Sequence, residues 1–233
     1  MAKTLWKNLM QPPVTAQYFD SVEDARIPFT REAFSQAAEI YLEEGILFVT
    51  ASRNKFLASF SRQTERLSTW NFFVPLKAMT GGKSKFWLQW FTNLCSEIPV
   101  VFGFGCSTTE YNAKHETIRN LPSGGRVIGW SGVAVREFSH YLPGFYWLNI
   151  FGSDLVQTFN LENLARLPNV KIMSLNSGQV AVQLNEPIVS INMDNRLLVE
   201  RRLAQQIGEE YFFDREKSNS DYKQIPQIKK LFE

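Results

Sequence analysis

The chain has 233 residues, 44% hydrophobic and 21% charged, an ordinary globular composition that is far from the disordered regime and long enough for a sizeable core. Its 25 Lys and Arg nearly balance 23 Asp and Glu, and the signs are interleaved, which argues against nucleic acid or membrane as a partner. Cys95 and Cys106 supply neither a disulfide framework nor a metal-binding spacing, and no segment resembles a signal peptide or the ~20 apolar residues of a membrane span, so the expectation is a cytoplasmic protein with reduced thiols and no cofactor.

In chain order, residues 1–28, with Pro12, Pro13 and Pro28, read as a loosely structured arm. Thr30 is a candidate N-cap for a helix to Glu44, with Ala33, Phe34, Ala37, Ala38 and Tyr41 on its apolar face and Gly45 as its stop. Strands follow at Ile46–Ser52 and Phe56–Arg62, joined across a tight turn at Arg53-Asn54, with a third at Thr69–Leu76. Ser84 opens a helix to Glu97 whose Phe86, Trp87, Trp90, Phe91 and Leu94 recur at helical spacing and predict its buried side. Pro99 ends it, and Val100–Gly105 reads as an apolar strand. Ser107, with Glu110 three residues on, has the form of a capping box for a polar helix through Arg119. The Ser123-Gly124-Gly125 turn leads to a strand at Arg126–Ser131.

The segment Gly129–Gly152 is the densest in aromatics and turn residues: Phe138 and Tyr141, then Leu142-Pro143-Gly144, then Tyr146, Trp147 and Phe151. It reads as a short helix, a turn and a buried strand. Two helical turns, Asp154–Phe159 and Leu161–Leu167, follow, and then a hairpin of Val170–Leu175 with Gln179–Leu184. Asp194 caps a helix to Ile207, and residues 214–233 form a polar tail whose Ile225–Phe232 can dock as a last helix. The succession of helix, strands, helix and strand occurs twice in outline. The fold class expected is therefore α+β, with mainly antiparallel sheets packed against helices, in one domain of two similar βαβ-type halves.

Few residues carry chemistry. Cys106 and His115 flank a strand-to-helix junction, where a thiolate gains from the helix dipole, and so offer a nucleophile and a base for a small cytosolic enzyme. No third group to orient the pair is evident, and a buried thiol with a surface histidine is the simpler reading. Gly103-Phe104-Gly105 lacks the remaining spacing of a phosphate loop. His140 and Glu137 do not make a zinc site with two histidines in the whole chain. Tyr111, between Glu110 and Asn112, has the character of an exposed interface aromatic.

Tyr111-Asn112-Ala113-Lys114-His115, a Gly-Gly turn, Glu137-Phe138 and the run from Leu142-Pro143-Gly144 through Trp147 to Phe151-Gly152 together resemble the type VI secretion immunity proteins, the neutralising partners of bacterial toxins. The resemblance covers the second half of the chain and, in element order alone, the first. It implies a protein with no catalytic residues that binds a cognate toxin and occludes its active site. A role as a structural subunit of another complex is the other non-catalytic reading. The partner-binding residues expected on the polar helix are Glu110, Tyr111, Asn112 and Glu116, with Asp154 apart from them.

Overall fold

The computed structural model describes residues 3–51, 55–185, 187–188 and 192–233. The chain divides into two compact units, Met1–Ile98 and Pro99–Glu233. Among the described residues every strand ladder is antiparallel, so the class is α+β but the units are not βαβ halves.

The first unit is a five-stranded sheet with helices on one face. Helix α1 (Lys3–Leu9) leads to strands β1 (Tyr18–Asp20) and β2 (Ile27–Pro28), then helix α2 (Phe34–Glu44). Strands β3 (Ile46–Ala51), β4 (Phe56–Arg62) and β5 (Ser68–Phe73) follow, and the short α3 (Leu76–Met79) precedes α4 (Ser84–Glu97). The strand order is β2-β1-β3-β4-β5. Alternation along β3 and β4 sends Leu47, Val49, Ala51, Phe56, Ala58 and Phe60 inward, where Trp87, Trp90 and Leu94 of α4 cover them. The predicted arm is part of this core. Leu5 and Leu9 are fully buried, and Trp6 stacks on Phe29 at 3.7 Å while its indole N–H donates to the Thr30 carbonyl. Its prolines interrupt the arm without freeing it, because the apolar face of α1 has a sheet to rest on. Helix α2 starts later than Thr30, whose hydroxyl accepts from the Ala33 N–H, and it ends as expected at Gly45 in the left-handed region at φ 72°. Phe86 departs from expectation: it points away from the core and is 59% exposed. The Arg53-Asn54 turn lies outside the described residues.

The second unit has a four-stranded sheet in the order β10-β11-β9-β6 and a separate hairpin. Strand β6 (Phe102–Gly105) leads to helix α5 (Thr108–His115), which passes directly into β7 (Glu116–Asn120) and its partner β8 (Arg126–Trp130). A 3-10 turn at Val135–Ser139 and the Pro143-Gly144 turn bring the chain to β9 (Leu148–Phe151), whose four residues are all buried. Helix α6 (Ser153–Thr158), β10 (Val170–Ser174), β11 (Val180–Leu184), α7 (Met193–Ile207) and α8 (Pro226–Lys229) complete it. Gly152 marks the end of β9, where the strand meets the chain entering β6. Its N–H donates to the Val101 carbonyl, and a Cβ there would lie 2.0 Å from the Val100 carbonyl oxygen. The tail is anchored as well, with Tyr222, Ile225 and Ile228 buried.

Candidate functional site

Helix α5 begins as predicted: the Ser107 hydroxyl accepts from the Glu110 N–H. It stops one turn early, at His115, because residues 116–120 pair residue for residue with 126–130. The Glu110 side chain does not return to the cap. It turns into the unit, fully buried, and accepts from the Trp147 backbone N–H at 3.0 Å. Lys114, one turn on, follows it inward, 3.3 Å from Glu110 and 2.7 Å from Glu200 of α7. The Lys114 ammonium also donates to the Phe145 carbonyl and lies 3.9 Å from the centroid of the Tyr146 ring. The second oxygens of Glu110 and Glu200 find no donor among the described residues. Burial accordingly lifts the Glu200 carboxyl to about 8, against the attraction of Lys114 and with the Glu110 charge adding to the rise.

His115 completes this interior network. Its Nδ1 is 2.8 Å from the Ser131 carbonyl and its Nε2 is 2.7 Å from the Tyr146 hydroxyl. Burial lowers its pKa to about 4, opposed by the bond to Ser131 and assisted by the Lys114 charge. The surface histidine expected from the sequence is thus a fully buried one. Both ring nitrogens are committed, and neither is bonded to Cys106. Burial raises the Cys106 thiol, followed by the Glu110 charge, which is the opposite of an activated thiolate. Gly103 and Gly105 are strand residues, where an added Cβ would meet Ile150 and Leu148 at ordinary contact distance, and they form no phosphate loop. Among the described residues no group of three His, Cys, Asp or Glu is placed to hold a metal ion.

Most of the exposed large apolar side chains of this unit, among the described residues, lie on the hairpin or beside it. In its register Glu116 faces Trp130, Ile118 faces Ile128 and Asn120 faces Arg126, so these six share one side of the ribbon. Ile118, Ile128 and Trp130 are 56%, 56% and 54% exposed. Leu121 and Val127 are exposed too. The Trp130 indole N–H reaches the Asn112 amide oxygen at 3.5 Å, tying the ribbon to the outer side of α5. Arg215 donates to the Lys114 and Glu116 carbonyls and ties down its base.

Of the residues expected to meet a partner, Asn112 and Glu116 therefore adjoin an exposed apolar ladder. Tyr111 is half-buried, 5.4 Å from the His115 ring. Glu110 is inside the fold and is withdrawn from any surface. Asp154 is exposed in the first turn of α6, beside a shallow cavity of about 160 Å³ lined by Val100, Gly152 and Ile228. It stands away from α5: α6 leaves β9 at the Phe102–Phe151 end of that ladder, whereas α5 leaves β6 at the Gly105–Leu148 end. The ladder itself was missed because residues 116–119 read as the end of a helix; the alternation of Ile128 and Trp130, with Ile118 opposite, carried the signal. No helix is long and apolar enough to cross a membrane among the described residues. No protein-family model, no curated protein and no solved structure matches this chain.

Proposed function

We propose that this chain is a binding protein of the immunity kind, which recognises a bacterial toxin in the cytoplasm and blocks it by covering its active site. The observation that carries the reading is the hairpin: Ile118, Ile128 and Trp130 form an exposed apolar centre, with Asn112, Glu116, Asn120 and Arg126 around it. A desolvated apolar centre with a polar rim is the usual anatomy of a protein–protein interface, and Trp is enriched among its anchors. The titratable groups of α5 support the same reading, since Glu110, Lys114 and His115 are spent on interior bonds. The order behind the family resemblance, from the Leu-Pro-Gly turn through a buried strand and a hairpin to a long helix, is also the order of the fold.

The test is co-expression with the toxin encoded beside the gene. Growth rescue by the wild-type chain is expected, and loss of rescue with Ile128→Asp or Trp130→Ala. A neighbouring product that is harmless alone, or no rescue by the wild type, removes the reading. Rescue by both variants moves the interface off the hairpin.

A further inference from the structure

The β7–β8 hairpin has an edge as well as a face. At its base the Ser131 N–H donates to the His115 carbonyl, and at its tip the Leu121 N–H donates to the Gly125 carbonyl. Antiparallel bonds alternate, so between these two Thr117 with Gly129 and Arg119 with Val127 exchange the inner bonds. The backbone N–H and C=O groups of Glu116, Ile118 and Asn120 then point out of the ribbon on the β7 side, and those of Arg126, Ile128 and Trp130 on the β8 side. Arg215 covers the base of the β7 edge by donating to the Glu116 carbonyl. The sheet has two strands, and along the β8 edge the backbone groups have no partner among the described residues. Both faces of β8 are open too, with Val127 46% exposed on the side away from Ile128 and Trp130. The strand carries no Lys, Pro or acid, the residues that commonly keep sheet edges apart. A two-stranded ribbon is marginal by itself, and further strands stabilise it.

We infer that β8 pairs antiparallel with β8 of a second copy of this chain, about a twofold axis at Ile128, joining two ribbons into one four-stranded sheet. A centre at Ile128 is the symmetric register that pairs all five residues of the strand, and it uses the outward groups. Ile128 exchanges two bonds with its counterpart, and at each end Arg126 exchanges two with Trp130 of the other copy. Across the sheet the side chains then fall in matching rows. The central row is Ile118 and Ile128, followed by the same pair in reverse. Each flanking row runs Glu116, Trp130, then the second copy's Arg126 and Asn120. A guanidinium thus lies beside an indole, and a carboxylate stands on the indole's other side. On the opposite face Val127 comes beside Gly129, which has no side chain to obstruct it. No like charges meet. An unrelated strand could reach the same edge, but β8 selects nothing in its side chains, whereas a second copy brings the complement of each residue. The pairing uses the ribbon's edge, leaves its apolar face free and does not rest on toxin binding.

Five residues per strand make a small contact, so the association is concentration-dependent. The test is sedimentation equilibrium of the full chain, without toxin, over a range of concentrations. A mass rising from 26.8 kDa toward twice that value is expected. Ile128→Pro removes the outward N–H and no bond within the hairpin. It deletes two bonds per dimer and should raise the dissociation constant on the order of thirtyfold, whereas Ile128→Val should associate like the wild type. Single cysteines read the axis. Ile128→Cys brings two thiols onto neighbouring strands, about 5.5 Å apart at Cα, and should give a disulfide-linked dimer on oxidation. Ile118→Cys is on the same face and equally exposed, but lies three strand spacings from its counterpart, about 14 Å, and should give none. Circular dichroism shows whether Ile128→Pro is folded, and if it is not, the two cysteine variants decide. A single-chain mass at every concentration, undiminished association of folded Ile128→Pro, no cross-link from Ile128→Cys, or an equally ready one from Ile118→Cys overturns the inference.

Discussion

Lys114 is held between two carboxyl groups, a backbone carbonyl and an aromatic face, and these contacts hold α5 to α7 and to the residues before β9. Replacing it with Met removes the cation that faces the buried Glu110 and Glu200, so Lys114→Met should cost about 3–5 kcal/mol in urea unfolding. Glu200 and His115 set a pH response of opposite signs. Folded Glu200 keeps its proton to about 8, whereas the unfolded carboxyl loses it near 4.5, so its contribution is full below 4.5 and declines until pH 8. Folded His115 stays neutral down to about 4 against 6.5 when unfolded, so its contribution is full above 6.5 and is lost toward 4. Between 4.5 and 6.5 the two slopes cancel. From 6.5 to 8 Glu200 acts alone, and stability should fall as pH rises, by on the order of 1 kcal/mol per pH unit. Urea titrations at pH 6.5 and 8 check this, and Glu200→Gln should remove most of the difference. None of it was legible in the sequence. Ser107 and Glu110 have the spacing of a cap, and local geometry fulfils the first half of it; the second half is taken by an N–H 37 residues away.

At the scale of elements, local rules worked where local forces decide. Gly45 stops α2, the Ser84–Glu97 helix has its predicted ends, and the β10–β11 hairpin sits where alternation put it. They failed where a distant strand decides. Nothing in Glu116-Thr117-Ile118-Arg119 breaks a helix, but pairing with β8 outweighs a preference worth tenths of a kcal/mol per residue. Phe86 failed differently. One residue along a helix is a rotation of about 100°, so Phe86 falls beside the stripe that Trp87, Trp90 and Leu94 turn to the sheet, whereas Phe91 stays within it against Phe72. Gly152 makes the sharpest prediction here. Its neighbours in the close approach are backbone oxygens, which cannot swing aside, so Gly152→Ala should lower stability by about 3 kcal/mol despite an ordinary φ of −65°. A shift in the urea midpoint with an unchanged slope would support a native-state clash. No shift would mean that the β6–β9 end yields easily.

For the whole molecule, the α+β class was legible from the alternation of helical and strand periods, and the division at Ile98–Pro99 was not. Both segments have ordinary composition, and the boundary carries a proline but no linker. Nor was the arm recognisable as core, since α1 gains its buried face only from residues that follow it. Among the described residues, the buried hydrophobic cluster of the first unit runs from Leu5 to Leu94. A fragment of residues 1–98 should therefore show a cooperative thermal transition by circular dichroism, and a gradual one would mean that its core is insufficient alone. The same division sets an order in time. Synthesis of residues 99–233 takes on the order of ten seconds, long compared with the folding of a small antiparallel domain. The first unit can thus close around its tryptophans while the second is still being translated. The nascent second unit then emerges beside a finished neighbour, with fewer exposed strand edges to mispair with.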